Sequence, residues 1–230
     1  RERRWWLLPL ALWGGVVALS LELQIDKIRE QSVQVAVEGA RNMFRMVMLT
    51  RNWNASHGGV YVPVTPATPP NPYLEHPQRD LMTTDGMALT MINPAYMTRL
   101  IGSMAAADGG VMFRLTSLKP IRPANAADAW EQASLEAFER GAAETMGVED
   151  SPRGKLLRYM APLKVQQSCL VCHAKQGYQF GDIRGGLSVS QQYAPIEATT
   201  RDGIRQTTLA HCAAFAVVLA VGWGLLELLR

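Results

Sequence analysis

Two uncharged apolar runs, one near each end of the chain, restrict what the residues between them can do. The first extends from Trp5 to Leu21, follows Arg1, Arg3 and Arg4, and is closed by Glu22; the second extends from Thr207 to Leu226 and is followed by Glu227 and Arg230. Each approaches the length a helix needs to cross a bilayer. Together they carry most of the apolar excess of a 230-residue chain that is 48% hydrophobic and 19% charged. Basic residues outside both runs place both ends on the cytoplasmic side by the positive-inside rule. We therefore expect a transmembrane helix at 5–23, an extracytoplasmic domain at 24–206 and a second transmembrane helix at 207–229. No small-residue cleavage site follows the first run, so it reads as an uncleaved helix rather than a signal peptide. The net charge of +3 is spread without basic runs, which argues against a nucleic-acid partner.

Between the runs, Ile25, Ile28, Ala36, Ala40, Met43 and Val47 recur near helical period and predict a long helix over 24–52. Prolines at 63, 66, 69, 70, 72 and 77 then predict an irregular loop over 53–77. Asn93-Pro94 has the form of an N-cap followed by proline in the first turn. The helix it opens would turn Met97, Leu100 or Ile101, and Met104 inward, and Gly109-Gly110 would end it. Val111 to Thr116 alternates as a strand does. Asn125 and Asp128 suggest a capping box for a helix through about Thr145, with Leu135, Phe138 and Ala142 inward. Its residues Glu131, Glu136 and Glu139, with Glu144, read as a solvated charged face. Residues 156–165 and 184–191 are further strands, and 192–206 returns as helix. The expected architecture is α+β, a small antiparallel sheet flanked by helices and set between two transmembrane helices.

Cys169-Leu170-Val171-Cys172-His173 is a C-x-x-C-H sequence, the form of a c-type haem attachment site. Two thiols three positions apart can add to the two vinyl groups of one porphyrin, and the adjacent histidine then reaches the iron. A disulfide or a thioredoxin-like pair would use the two cysteines without the histidine. A zinc site would need a second ligand pair at regular spacing, whereas His57, His76 and His211 are scattered and Cys212 lies in the second apolar run. One covalently attached haem c is the reading that uses all three residues. It places residues 24–206 in the periplasm, on the outer side of a bacterial inner membrane.

For the opposite face of the iron the candidates are His57 and Met97. His57 precedes Gly58-Gly59, where paired glycines would admit a flat cofactor close to the backbone. Met97 offers a thioether, although methionine on an apolar helical stripe is by default a packing residue. Trp53, Tyr61 and Tyr73 could wall a haem pocket. No G-x-S-x-G, nucleotide-loop or H-E-x-x-H pattern occurs, so the chain itself is not expected to be an enzyme.

Several longer segments carry a resemblance. Arg51-Asn52-Trp53-Asn54-Ala55-Ser56-His57-Gly58-Gly59-Val60-Tyr61-Val62, Asn71-Pro72-Tyr73-Leu74, Ile92-Asn93-Pro94-Ala95-Tyr96-Met97-Thr98-Arg99, Arg158-Tyr159-Met160-Ala161-Pro162-Leu163, the cysteine pentapeptide, and Gly177-Tyr178 with Gly181-Asp182-Ile183-Arg184-Gly185-Gly186 resemble, in order, the c-type haem sensor domain family. That resemblance implies a PAS-like fold, thioether links to haem at Cys169 and Cys172, and His173 as proximal iron ligand. It also implies redox or gas sensing, as the input part of a larger receptor that would pair as a homodimer and drive a kinase or cyclase module. A membrane-bound monohaem electron-transfer cytochrome, working with a redox partner, is the alternative.

Overall fold

The computed structural model describes residues 7–152 and 154–228, and within them the side chains of Leu7, Val171 and Cys172 lie outside the description. Arg1, Arg3, Arg4, Trp5 and Arg230, on which the topology argument partly rests, also lie outside the described residues. The chain forms two compact units, one of residues 1–36 with 194–230 and one of residues 37–193. The expected domain limits at 24 and 206 fall inside continuous helices. Helix α1 runs from Leu7 to Ser56, and the last helix, α5, from Ala194 to Leu228.

In the first unit these two helices contain windows of mean hydropathy 1.6 and 2.1, long and apolar enough to cross a membrane. A polar pair joins them. His211 Nδ1 lies 2.9 Å from the Thr207 carbonyl, which can only accept, so the ring donates there and Nε2 accepts from Ser20 Oγ at 3.2 Å.

The second unit holds two antiparallel sheets. Strands β1 (Val60–Pro63), β2 (Asp80–Met82) and β3 (Ala88–Ile92) form one, in the order β1-β3-β2. The other is built from β4 (Val111–Thr116), β5 (Thr145–Ser151), β6 (Gly154–Lys164) and β7 (Ile183–Gln192), in the order β4-β7-β6-β5. The three-stranded sheet replaces part of the expected proline loop. Pro63 fits there because it closes an edge strand, where a missing N–H is tolerated.

Asn93 caps helix α2 (Pro94–Ala107) as expected, its Oδ1 accepting from Tyr96 N at 2.8 Å. The inward face is different. Tyr96, Thr98 and Gly102 are the buried residues, and Met104 is 73% exposed. A Cβ at Gly102 would stand 3.0 Å from the Phe113 carbonyl oxygen, so the helix meets β4 on its smallest residue and the methionines turn away.

Register explains how the four-stranded sheet buries both faces. Leu187 pairs with Leu115 and Ala161, whereas Ser188 pairs with Arg114 and Met160. Neighbouring residues of a strand point to opposite sides. On the first side Phe44 and Val47 of α1 pack with Leu115, Leu187, Phe113 and Leu163. On the second, Leu135 and Phe138 of helix α3 (Ala129–Glu139) pack with Met160 and Ile183.

Helix α3 is shorter than expected at both ends. Its N-cap is Asp128, with Glu131 completing the capping box, and Asn125 belongs to a preceding 3₁₀ turn; Thr145 opens β5. Glu131 also departs from the solvated face assigned to it, being fully buried. The second side of the sheet explains why: Arg114 Nη1 stands 2.6 Å from its Oε2 and Arg158 Nη2 3.3 Å from its Oε1. The ionised side chain also accepts from the Asp128 amide at 3.1 Å. On the other side, Arg41 of α1 makes a two-point ion pair with Glu144, which also accepts from Tyr159 OH at 2.8 Å. The Arg41 contact, reinforced by Tyr159, holds the Glu144 carboxyl below the usual carboxylate range against an opposing effect of burial.

Removing one partner of a buried pair strands the other. Glu131→Ala is expected to cost about 3–5 kcal/mol in chemical unfolding, and Glu131→Gln, which keeps an acceptor for the cap, distinctly less. Glu144 supplies a pH signature. Its folded-state pKa is depressed, so its contribution is present above the ordinary glutamate pKa and lost as pH falls through the depressed value. Unfolding midpoints followed from about pH 7 to about pH 3 should show a shallower acid loss in Glu144→Gln than in the parent.

Candidate functional site

The cysteine pentapeptide sits on an excursion between β6 and β7. Val165 pins both ends of it: its amide donates to Asp182 O at 2.8 Å and its carbonyl accepts from Gly181 N at 2.9 Å. Between them lies helix α4 (Gln167–His173), followed by a 3₁₀ turn over Ala174–Gln176 and by Gly177, whose φ of 84° ends it. In a helix, positions i, i+3 and i+4 share a face. Residues 169, 172 and 173 therefore lie on one side of α4. Cys169 is half-buried with a free thiol that accepts from Gln166 N at 3.3 Å; the Cys172 side chain is outside the described residues.

His173 faces a cavity of about 440 Å³ at one end of the four-stranded sheet, within the size range of cofactor sites. Leu115, Thr116 and Ser117 from the end of β4, Leu163 from β6, and Arg184 and Gly185 from the start of β7 make its floor. The C-terminal part of α1 adds Arg51, α2 adds Ala95 and Arg99 behind its cap Asn93, and the loops add Asn71, Tyr73, Leu74, Glu75 and residues 120–122. Every segment that carried the family resemblance contributes at least one wall residue or abuts one.

Gly185 is what lets β7 form that floor. A Cβ there would lie 2.2 Å from the Thr116 carbonyl oxygen, inside the backbone of the neighbouring strand. At Gly186, by contrast, the first obstacle is the methyl end of Met160, a flexible side chain.

The walls are strongly cationic. Arg51, Arg99, Arg122, Lys175 and Arg184 line the cavity against the single carboxylate of Glu75, and among the described residues none of the five is in a salt bridge. Among the described residues the hydrogen-bond partners of Arg51 are neutral, Pro94 O at 3.0 Å and Thr98 Oγ1 at 2.8 Å. Burial pushes its pKa down to about 10. Arg99, stacked on Tyr96 at 4.8 Å, is likewise lowered by burial and then by the like charge of Arg122. A buried cation without a counter-ion is costly, and an anion in the cavity would relieve all of them.

The imidazole of His173 is held below its ordinary pKa, first by burial and further by the charges of Arg184 and Arg51, against a hydrogen bond to Gln176 that raises it. It is thus neutral at neutral pH, the form that ligates metal. Among the described residues no three His, Cys, Asp or Glu side chains gather into a metal cage of their own. A haem supplies its iron already bound by the porphyrin and brings two carboxylates. One neutral histidine, a cysteine helix beside it, apolar walls and uncompensated arginines fit that group.

The residues weighed for the other axial position are elsewhere. His57 is exposed beyond the end of α1, where Nδ1 donates to Trp53 O at 2.8 Å and the ring stacks on Trp53 at 4.7 Å. Gly58 and Gly59, with φ of 72° and 106°, serve to turn the chain from α1 into β1. Met97 is half-buried on α2, and neither it nor His57 lines the cavity. Of the suggested wall aromatics only Tyr73 does; Tyr61 instead donates to Gln78 O. The arginines were missed by sequence reasoning, although Arg51, Arg99 and Arg184 stand inside the resemblance segments.

A family model described as Tll0287-like matches residues 29–192. Among solved structures, the cyanobacterial heme-protein Tll0287 is similar at 20% identity and a TM-score of 0.42, over 69% of this chain and 96% of that one. No curated protein matches. The family match agrees with the c-type haem sensor domain resemblance.

The two glycines give unequal expectations at adjacent positions. Gly185→Ala should cost about 1–3 kcal/mol through backbone displacement, and Gly186→Ala less because Met160 can swing aside. Thermal unfolding of the two variants in parallel measures the difference.

Proposed function

This chain belongs to the Tll0287-like family, and on that premise we propose that residues 37–193 hold one haem c on the periplasmic side of a bacterial inner membrane and act as a sensor of redox state or of a diatomic gas. Cys169 and Cys172 would form the thioether links and His173 the proximal iron bond. The observation that carries this reading is the meeting of the α4 histidine with a cavity whose arginines lack counter-ions. When bound, the group supplies an iron that changes oxidation state and can take a gas at an open position. The chain's own residues then have defined tasks. His173 presents a neutral ring nitrogen, Arg51, Arg99, Arg122 and Arg184 neutralise the haem carboxylates, and Leu74, Leu115 and Leu163 keep water from the ring plane.

The helices at either end of the domain suit a receptor's input part. The same α1 that brings Arg51 to the cavity begins in an apolar, membrane-length segment. A PAS-like arrangement and a homodimer belong to this reading. That neither His57 nor Met97 lines the cavity favours a sixth position left to an external ligand. One observation favours the electron-transfer alternative: Gln166 before the attachment helix, Gln167 and Ser168 in its first turn, and Ala174 to Gly177 after it are exposed, which would leave a haem edge open to a redox partner.

Produced with the bacterial c-type maturation machinery, the full chain should keep its haem through denaturing electrophoresis, and a Cys169→Ser/Cys172→Ser variant should lose it. A parent chain without covalent haem would overturn the reading. Carbon monoxide added to the reduced protein separates gas sensing from the other readings, since a gas sensor should change its spectrum and a redox sensor or carrier with two firm axial ligands should not.

A further inference from the structure

One nitrogen of His173 faces two incompatible neighbours. Gln176 Oε1 lies 2.8 Å from Nδ1, and Arg184 Nε lies 3.2 Å from the same atom. A carbonyl oxygen only accepts, and a guanidinium N–H only donates. Gln176 therefore requires a proton on Nδ1, whereas Arg184 requires a lone pair there. A neutral imidazole satisfies one of them at a time.

Their other anchors are unequal. Arg184 also donates through Nη1 to Ser117 Oγ at 2.7 Å and stacks on Tyr178 at 5.0 Å, so it keeps its place without the ring. Gln176 sits on the exposed 3₁₀ turn three residues after His173, and its short contact with Nδ1 is local to that turn. Once Nε2 is given to a metal, the ring proton must be on Nδ1. That tautomer keeps the Gln176 contact and dismisses Arg184.

We infer that Gln176 is the positioning residue of His173, its amide oxygen fixing the ring's tautomer and orientation and setting how strongly Nε2 donates to iron. This rests on the haem reading above. A stronger acceptor at Nδ1 makes a ligating histidine more basic and favours the higher oxidation state; losing the acceptor does the reverse. The effect is carried by a cavity-lining side chain three residues after His173 that the motif alone would never single out.

The test is the midpoint potential of the haem-loaded full chain, with haem content checked by its pyridine adduct. Gln176→Glu should lower the potential and Gln176→Leu should raise it. Each change is expected to be roughly tenfold in ferric over ferrous preference, which is about 59 mV for a one-electron couple. Opposite signs at equal haem content are what a merely structural turn residue would not produce. Potentials that stay put, or move the same way in both variants, would overturn the inference while leaving haem attachment intact. Absence of covalent haem from the parent would instead overturn the reading beneath it.

Discussion

The close approach of β7 to β4 at Gly185 is the constraint on which the site depends. There the β7 backbone passes so near the Thr116 carbonyl that no side chain fits. That contact lets β7 run as a central strand, between β4 and β6, up to the point where Arg184 and Gly185 become cavity floor. It also fixes where the preceding excursion returns to the sheet, and so where α4 and His173 are delivered. Alternation along the same strand then assigns Leu187 to the side covered by α1 and Ser188 to the side covered by α3.

Arginine is used in two contrasting ways around this sheet. Arg114 and Arg158 converge on Glu131, and Arg41 on Glu144, so each has an acidic partner and serves the fold. Arg51, Arg99, Arg122 and Arg184 turn toward the cavity without one. A protein that had evolved only for stability would gain by replacing Arg51 with an apolar residue of similar length, since its neutral partners return little of the desolvation cost. Arg51 thus carries a desolvation cost that its place in the fold does not offset.

What was legible in the sequence was local. The Asn93-Pro94 cap, the terminal apolar runs, the strands flanking the cysteines and the pentapeptide itself are decided by residues within a turn or two of one another. The short strands at 60–63, 80–82 and 88–92 carry too few residues to show a period, and each is stable only through pairing with the others. Glu131 looked solvated because its neutralising partner Arg114 is 17 positions away, and Arg51 looked ordinary because Pro94 and Thr98 are 43 and 47 away. The misplaced methionine stripe on α2 has the same origin: Gly102 faces β4 because of how closely two backbones pass, a fact that hydrophobic periodicity does not encode.

The cavity also bears on how sensing and carrying differ in physical demand. A carrier needs its iron environment unchanged by oxidation state, whereas a sensor needs an element with two arrangements that the iron biases. Arg184 is the wall residue in direct contact with the proximal candidate His173. Its Nε–H reaches the His173 ring at 3.2 Å, while Ser117 and Tyr178 hold the rest of the side chain. Arg184 stands at the start of β7 and Ser117 directly after β4, so this side chain ties together the two strands that meet at Gly185. The strand ends that build the floor of the site are thus the ones linked to His173 through Arg184.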